Sequence, residues 1–193
     1  MNITHDFHES LALSEAIADE PWWETVYRRT FPYFESMERV LGNTPEQRAG
    51  IDRIIHLKGG GTIYVDEKVR HSDYDDVLLE IRSSEEHQTW GRACKPLVCD
   101  YIAYAFLPNK RCYLFPFQQL QQALKNHWTD WERECKTVKA LNRGYTTSSL
   151  AVPIPTLQQA ITEAGFVQWE RTFYDETEKE TIDTTQGDSG QVP

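Results

Sequence analysis

Residues 50–70 constrain this chain most. They read Gly50-Ile51-Asp52-Arg53-Ile54-Ile55-His56-Leu57, then Lys58-Gly59-Gly60-Gly61, then Thr62-Ile63-Tyr64-Val65-Asp66-Glu67-Lys68-Val69-Arg70. Two β-branched and aliphatic runs flank a glycine cluster, the pattern of a β-hairpin. Side chains alternate along a strand, so Tyr64, Asp66, Lys68 and Arg70 share one face, while Ile63, Val65, Glu67 and Val69 share the other. The side on which Asp52 falls depends on the loop. A three-residue loop over 58–60, or a five-residue loop over 57–61, sets Asp52 opposite Asp66. A two- or four-residue loop sets it opposite Glu67. Odd loops with a left-handed glycine are common, and consecutive glycines permit them.

Two carboxylates face to face repel unless a cation lies between them. A hard divalent cation fits, because Mg²⁺ takes oxygen ligands and commonly only one or two protein carboxylates. Lys68 beside the pair suits stabilisation of a phosphoryl oxygen or help in deprotonating an attacking water. Aspartate, aspartate and lysine thus form a unit suited to metal-assisted phosphodiester hydrolysis. Lys58-Gly59-Gly60-Gly61 is not a phosphate-binding P-loop, since no GK[ST] follows and no helix opens there.

The remainder of the chain supplies a scaffold. At 193 residues, 39% of them hydrophobic, it is long enough for one domain with a sizeable core. The expected organisation is a single domain over 1–174 and an acidic, disordered tail over 175–193. That tail carries six acids and one lysine, half of the net charge of −10. Gln47 to Arg111 holds ten basic and ten acidic residues. Whole-chain acidity argues against a general nucleic-acid binder but says little about a central cleft. No apolar run is long enough for a membrane span and no secretory signal opens the chain, so the default expectation is cytoplasmic. The four cysteines lack paired spacing and read as reduced, partly buried thiols rather than a zinc site.

In chain order, a loose arm to Glu9 and a short helix over 10–18 are expected. Asp19-Glu20-Pro21 is a helix start. Trp22, Trp23, Val26, Tyr27, Phe31, Phe34, Met37, Val40 and Leu41 are spaced by threes and fours, predicting a helix from Trp22 toward Leu41, kinked or split at Pro32. Strands are expected at Val77–Ile81, Leu97–Phe106 and Arg111–Phe117, then helix from Phe117 to His127, continuing or restarting over Trp128–Lys139. Extended chain over Ala151–Pro155, a helix from Thr156 to Ala164 and an edge strand over Phe166–Trp169 complete the reading. The order predicts an α/β (α+β mixed) fold with a central mixed sheet flanked by helices.

The arrangement resembles the PD-(D/E)XK nuclease superfamily, which includes restriction enzymes, archaeal-type Holliday-junction resolvases and phage exonucleases. Asp52 matches the first acid, and Asp66-Glu67-Lys68 matches the D/E-x-K element 14 positions later. Ile51, rather than proline, precedes the first acid. The resemblance spans about Trp22 to Phe117 and implies a restriction-endonuclease-like core. It implies Mg²⁺ or Mn²⁺ held by Asp52, Asp66 and the backbone carbonyl of Glu67, with Lys68 near the water. It also implies an added acid from the preceding helix, for which Glu24 is preferred over Glu35 and Glu38. Gln47 is a site-edge residue and Glu80 a further candidate acid. Arg53, Lys58 and Arg70, with His71 and Arg82, are candidate phosphate contacts. The expected activity is metal-dependent hydrolysis of DNA, with a homodimer possible. The alternative is an inactive nuclease-like fold that works as a protein- or nucleic-acid-binding module.

Overall fold

A computed structural model describes residues 21–42, 44–142 and 144–166. The expected arm and helix before Pro21, and the tail over 175–193, lie outside the described residues. So does all of the expected last strand except Phe166, which belongs to no element.

The fold is mixed α/β, with two sheets. The first has five strands in the order β1 (Phe34–Arg39), β2 (Arg53–Leu57), β3 (Thr62–Arg70), β6 (Tyr101–Phe106) and β7 (Arg111–Pro116). β3 and β6 run parallel, and the other pairs run antiparallel. The second sheet is antiparallel, in the order β5 (Thr89–Trp90), β4 (Asp76–Ser84), β9 (Tyr145–Pro153) and β8 (Lys136–Asn142). The helices are α1 (Trp22–Thr30), the short α2 (Pro45–Arg48), α3 (Phe117–Glu134) and α4 (Ile154–Ala164), with a 3₁₀ turn at Arg92–Cys94.

Apolar burial fixes the layers. α1 lays Trp23 and Tyr27 against Phe34, Ile55, Val65, Ala103 and Ala105 on one face of the first sheet. The opposite face contributes Ile102, Tyr104 and Phe115 to a larger core. That core also takes Val77, Leu79 and Ile81 of β4, Leu150 and Val152 of β9, and the inner faces of α3 and α4. β6, between β3 and β7, is covered on both faces, and Ile102 through Phe106 are all buried. A strand covered on both faces needs such a continuous apolar run.

Three expectations need correction. The first helix ends at Thr30, and Phe31, which precedes Pro32, is already extended (φ −108°, ψ 106°). The chain re-forms as strand β1, whose register against β2 shifts between Phe34 and Ser36. Such a bulge inserts an extra residue, so Phe34 and Met37 both meet the α1 core although three positions apart. The second correction concerns β4, which forms as expected but in the second sheet, because β6 takes the free edge of β3. The third lies beyond Glu134, where Cys135 turns extended (ψ 146°) and Lys136–Asn142 is an edge strand rather than helix. Among the described residues no helix is long and apolar enough to cross a membrane.

Candidate active site

The site forms where the β2–β3 hairpin opens away from its tip. At the tip, Leu57 N–H donates to Gly61 O, and Gly59 and Gly60 take φ +95° and +88°. The odd loop over 58–60 gives the register Arg53↔Val65, Ile54↔Tyr64, Ile55↔Ile63 and His56↔Thr62. One step further, Asp52 N–H donates to Val65 O, so the ladder slips by a residue. The Asp52 carboxylate then turns across to β3, where its Oδ2 accepts from Glu67 N–H at 2.9 Å. Asp52 and Asp66 lie near enough that each carboxyl influences the ionisation of the other.

Asp66 is fully buried, at 0% exposure, on the face opposite α1. Lys68, two residues on and on the same face, donates from Nζ to Asp66 Oδ1 and, at 3.3 Å, to Glu67 O. Arg92 Nε stands 3.6 Å from Asp66 Oδ2. Burial works against ionisation of Asp66, but the cations Lys68 and Arg92 outweigh it and hold the carboxyl below its ordinary value. For Asp52 burial is the largest influence. With the neighbouring Asp66 it overcomes the pull of Lys68 and raises the carboxyl to about 6. The environments push two adjacent acids in opposite directions, a pattern that marks functional sites.

A cleft of about 900 Å³ opens beside Asp52. Its walls are Gln47 and Arg48 of α2, Glu80 and Ser83 of β4, Arg92, Lys95 and, on the strand paired with β4, Tyr145 and Thr147 of β9. A smaller cavity of about 210 Å³ holds Asp66, Lys68 and Arg70 in its wall, and Glu80 and Arg92 line both spaces. Glu80 is anchored: Oε1 accepts from Ser83 Oγ at 2.8 Å and from Arg92 N–H at 3.1 Å.

No family model, no curated protein and no solved structure matches this chain. What the site does therefore rests on its own geometry.

The structure brings together Asp52, Asp66, Lys68 and the Glu67 carbonyl, with Gln47 and Glu80 at the rim. Other expected residues lie elsewhere. Glu24 is exposed on α1, ion-paired to Arg28, while α1 covers the sheet face opposite Asp66. Glu35 is exposed on β1, and Glu38, also exposed, faces His56 at 3.3 Å. The Glu67 side chain points away from Asp66 and toward α1, where it accepts from Tyr27 Oη at 2.6 Å and from Arg53 through both oxygens. Arg53 is only 4% exposed and offers no surface to a phosphate. Lys58 is exposed at the hairpin tip, roughly 20 Å of strand from Asp52. Arg70 lines the smaller cavity, donating to Tyr104 Oη at 3.1 Å and stacking over Tyr74. His71 is exposed in the loop after β3, and Arg82 lies over the Trp90 ring. Sequence reasoning missed Arg92 and weighed Lys95 only as a partner for Glu80. Arg92 opens the 3₁₀ turn after β5 and Lys95 follows that turn, and nothing local separates them from the other basic residues.

Proposed function

We propose that this chain is a metal-dependent nuclease with a restriction-endonuclease-like core, hydrolysing phosphodiester bonds of DNA. The observation that carries the reading is the meeting of Asp52 and Asp66 across the hairpin, with Lys68 on Asp66 and a cleft at the mouth. The donor set fits a hard cation. Asp66 Oδ2 is buried and lacks a hydrogen-bond partner among the described residues. No set of three or more His, Cys, Asp and Glu side chains gathers there among the described residues. Two carboxylates and a carbonyl nevertheless suit Mg²⁺ or Mn²⁺, which commonly complete their shell with water and phosphate oxygens.

Asp52, Asp66 and the Glu67 carbonyl would hold the ion. When bound, such an ion lowers the pKa of a coordinated water and neutralises phosphate charge. Lys68 holds its ammonium group on the same strand face, 34% exposed, where it can reach a phosphoryl oxygen or orient the attacking water. In the hydrolysis, a water oxygen bonds to phosphorus as the ester P–O bond breaks. The water loses a proton and the leaving oxygen gains one. Gln47 and Glu80 bound the site, and the cleft is where the strand would lie.

Purified protein should nick or degrade DNA with Mg²⁺ or Mn²⁺, stop on chelation and resume when Mn²⁺ is restored. Lys68→Ala should lower cleavage at least 100-fold; because it also strips a counter-ion from buried Asp66 it should lower the melting temperature, so circular dichroism at the assay temperature verifies that the variant is folded. A second reading has one observation of its own: Lys68 and Arg92 already compensate the Asp66 charge from within. An inactive binding module would use them in that way permanently. Absence of cleavage on DNA and RNA, together with absence of Mn²⁺ binding, would remove the first reading and favour the second.

A further inference from the structure

Arg92 is the cation that connects the acid pair to the cleft. Its Nε and Asp66 Oδ2 are both buried, 3.6 Å apart, and neither has a hydrogen-bond partner among the described residues. That gap gives Coulomb attraction without a hydrogen bond. The rest of the guanidinium is loosely held: Nη2 reaches Gln47 O only at 3.5 Å, and the side chain is 35% exposed. Its backbone is held firmly. Arg92 N–H donates to Glu80, and Gly91 packs so closely on β4 that an added Cβ would fall 2.1 Å from Glu80 O. A fixed backbone with a loosely held guanidinium between a buried carboxylate and an open cleft is built for two partners. Arg48 and Lys95 line the same cleft, which suits it to a polyanion.

We infer that Arg92 is a phosphate-binding residue of this site. It serves as counter-ion to Asp66 when no metal is bound and turns to a non-bridging oxygen of a nucleic-acid phosphodiester in the cleft when a divalent ion occupies the acid pair. The planar guanidinium fork matches a phosphate as well as a carboxylate, so the exchange costs little in geometry. With a divalent ion held by Asp52 and Asp66, the Arg92 guanidinium would lose its attraction to Asp66 and be released for the phosphate. This rests on the nuclease reading and adds to it the coupling of metal and phosphate through one side chain.

The test separates metal binding from phosphate binding. Wild type, Arg92→Ala, Arg92→Lys and the rim variant Lys95→Ala are titrated with Mn²⁺ alone, by calorimetry. A labelled DNA oligonucleotide is then titrated in Ca²⁺ across a salt series, with gels to verify that it stays intact. Arg92→Ala should bind Mn²⁺ as tightly as wild type or a few-fold tighter. It should bind the oligonucleotide at least 10-fold more weakly, with the slope of log affinity against log salt reduced by about 0.7–0.9, one phosphate contact. Arg92→Lys should recover part of that affinity. Lys95→Ala, at the rim, should reduce the salt slope likewise without altering Mn²⁺ affinity. Loss of Mn²⁺ and oligonucleotide binding together in Arg92→Ala and Arg92→Lys would overturn the inference, because the residue would then only support the acids. Unchanged oligonucleotide affinity and salt slope in Arg92→Ala would also overturn it and leave the nuclease reading standing. A wild type that binds neither Mn²⁺ nor the oligonucleotide overturns both.

Discussion

At Asp52 two demands oppose each other. The carboxylate must ionise to hold the proposed cation, yet burial and the adjacent Asp66 resist ionisation and raise it to about 6 against an ordinary 3.8. The folded protein therefore binds a proton between about pH 4 and 6 that the unfolded chain has released. This contribution to stability is present below about pH 4 and is lost as pH rises through about 6. Asp52→Asn removes the conflict, because the amide oxygen can still accept from Glu67 N–H and the amide nitrogen can face Asp66. At pH 8 the variant should be more stable than wild type by on the order of 1–2 kcal/mol, discounting for solvent screening at a partly exposed group. It should lose Mn²⁺ binding. In the wild type, Mn²⁺ affinity should rise through pH 6 as Asp52 deprotonates. Denaturant melts and Mn²⁺ titrations at pH 5, 6, 7 and 8 measure both trends. A variant no more stable than wild type at pH 8 would show that the acids are not in conflict. The shared face of Asp66 and Lys68 was legible from strand alternation, and the odd loop brought Asp52 toward them, although the slip of the ladder at Asp52 was not legible. Arg92 was not, since its relation to Asp66 exists only once β6 lies beside β3 and the segment after β5 folds over.

Among the elements, the contact of the Gly91 segment with β4 is the one on which the site depends. A side chain at Gly91 would collide with Glu80 O at 2.1 Å and with Ile81 C at 2.8 Å, both backbone atoms that cannot rotate away. Gly91→Ala should therefore cost about 2–3 kcal/mol and displace Arg92 from the cleft. Gly60→Ala provides the contrast. Nothing lies within 4 Å of its added Cβ, and its penalty is the left-handed φ of +88°, about 1–2 kcal/mol. Paired chemical denaturation measures the difference, and only the first substitution should weaken oligonucleotide binding. Elements with strong internal periodicity were legible: the hairpin, β6, β7, the first turns of α3, and α4. The failures have specific causes. A bulge in β1 put Phe34 and Met37 at helical spacing. Edge strand β8, largely exposed, shows no apolar alternation, so its sequence continues smoothly from α3.

On the scale of the whole molecule, the proposed nuclease function raises the question of how a chain of net charge −10 presents a cleft to a polyanion. Distribution of charge offers the answer. Arg48, Arg92 and Lys95 converge on the cleft, and the acids that share it, Asp52 and Glu80, are partly buried and bonded within the protein. Residues 175–193 carry six acids and one lysine, a net of −5. At low ionic strength the field of such a segment extends about 30 Å, and at 1 M salt about 3 Å. Truncation after residue 174 should therefore leave the fold and Mn²⁺ affinity unchanged and speed oligonucleotide association several-fold near 0.01 M salt. The advantage should shrink steadily and vanish above about 0.5 M, because long-range steering is screened while contacts in the cleft are not. Stopped-flow association rates of the two proteins over a salt series measure this directly. A gain that persists at high salt would mean that the segment occupies the cleft itself. No gain at any salt would mean that its charge does not reach the path of an approaching strand.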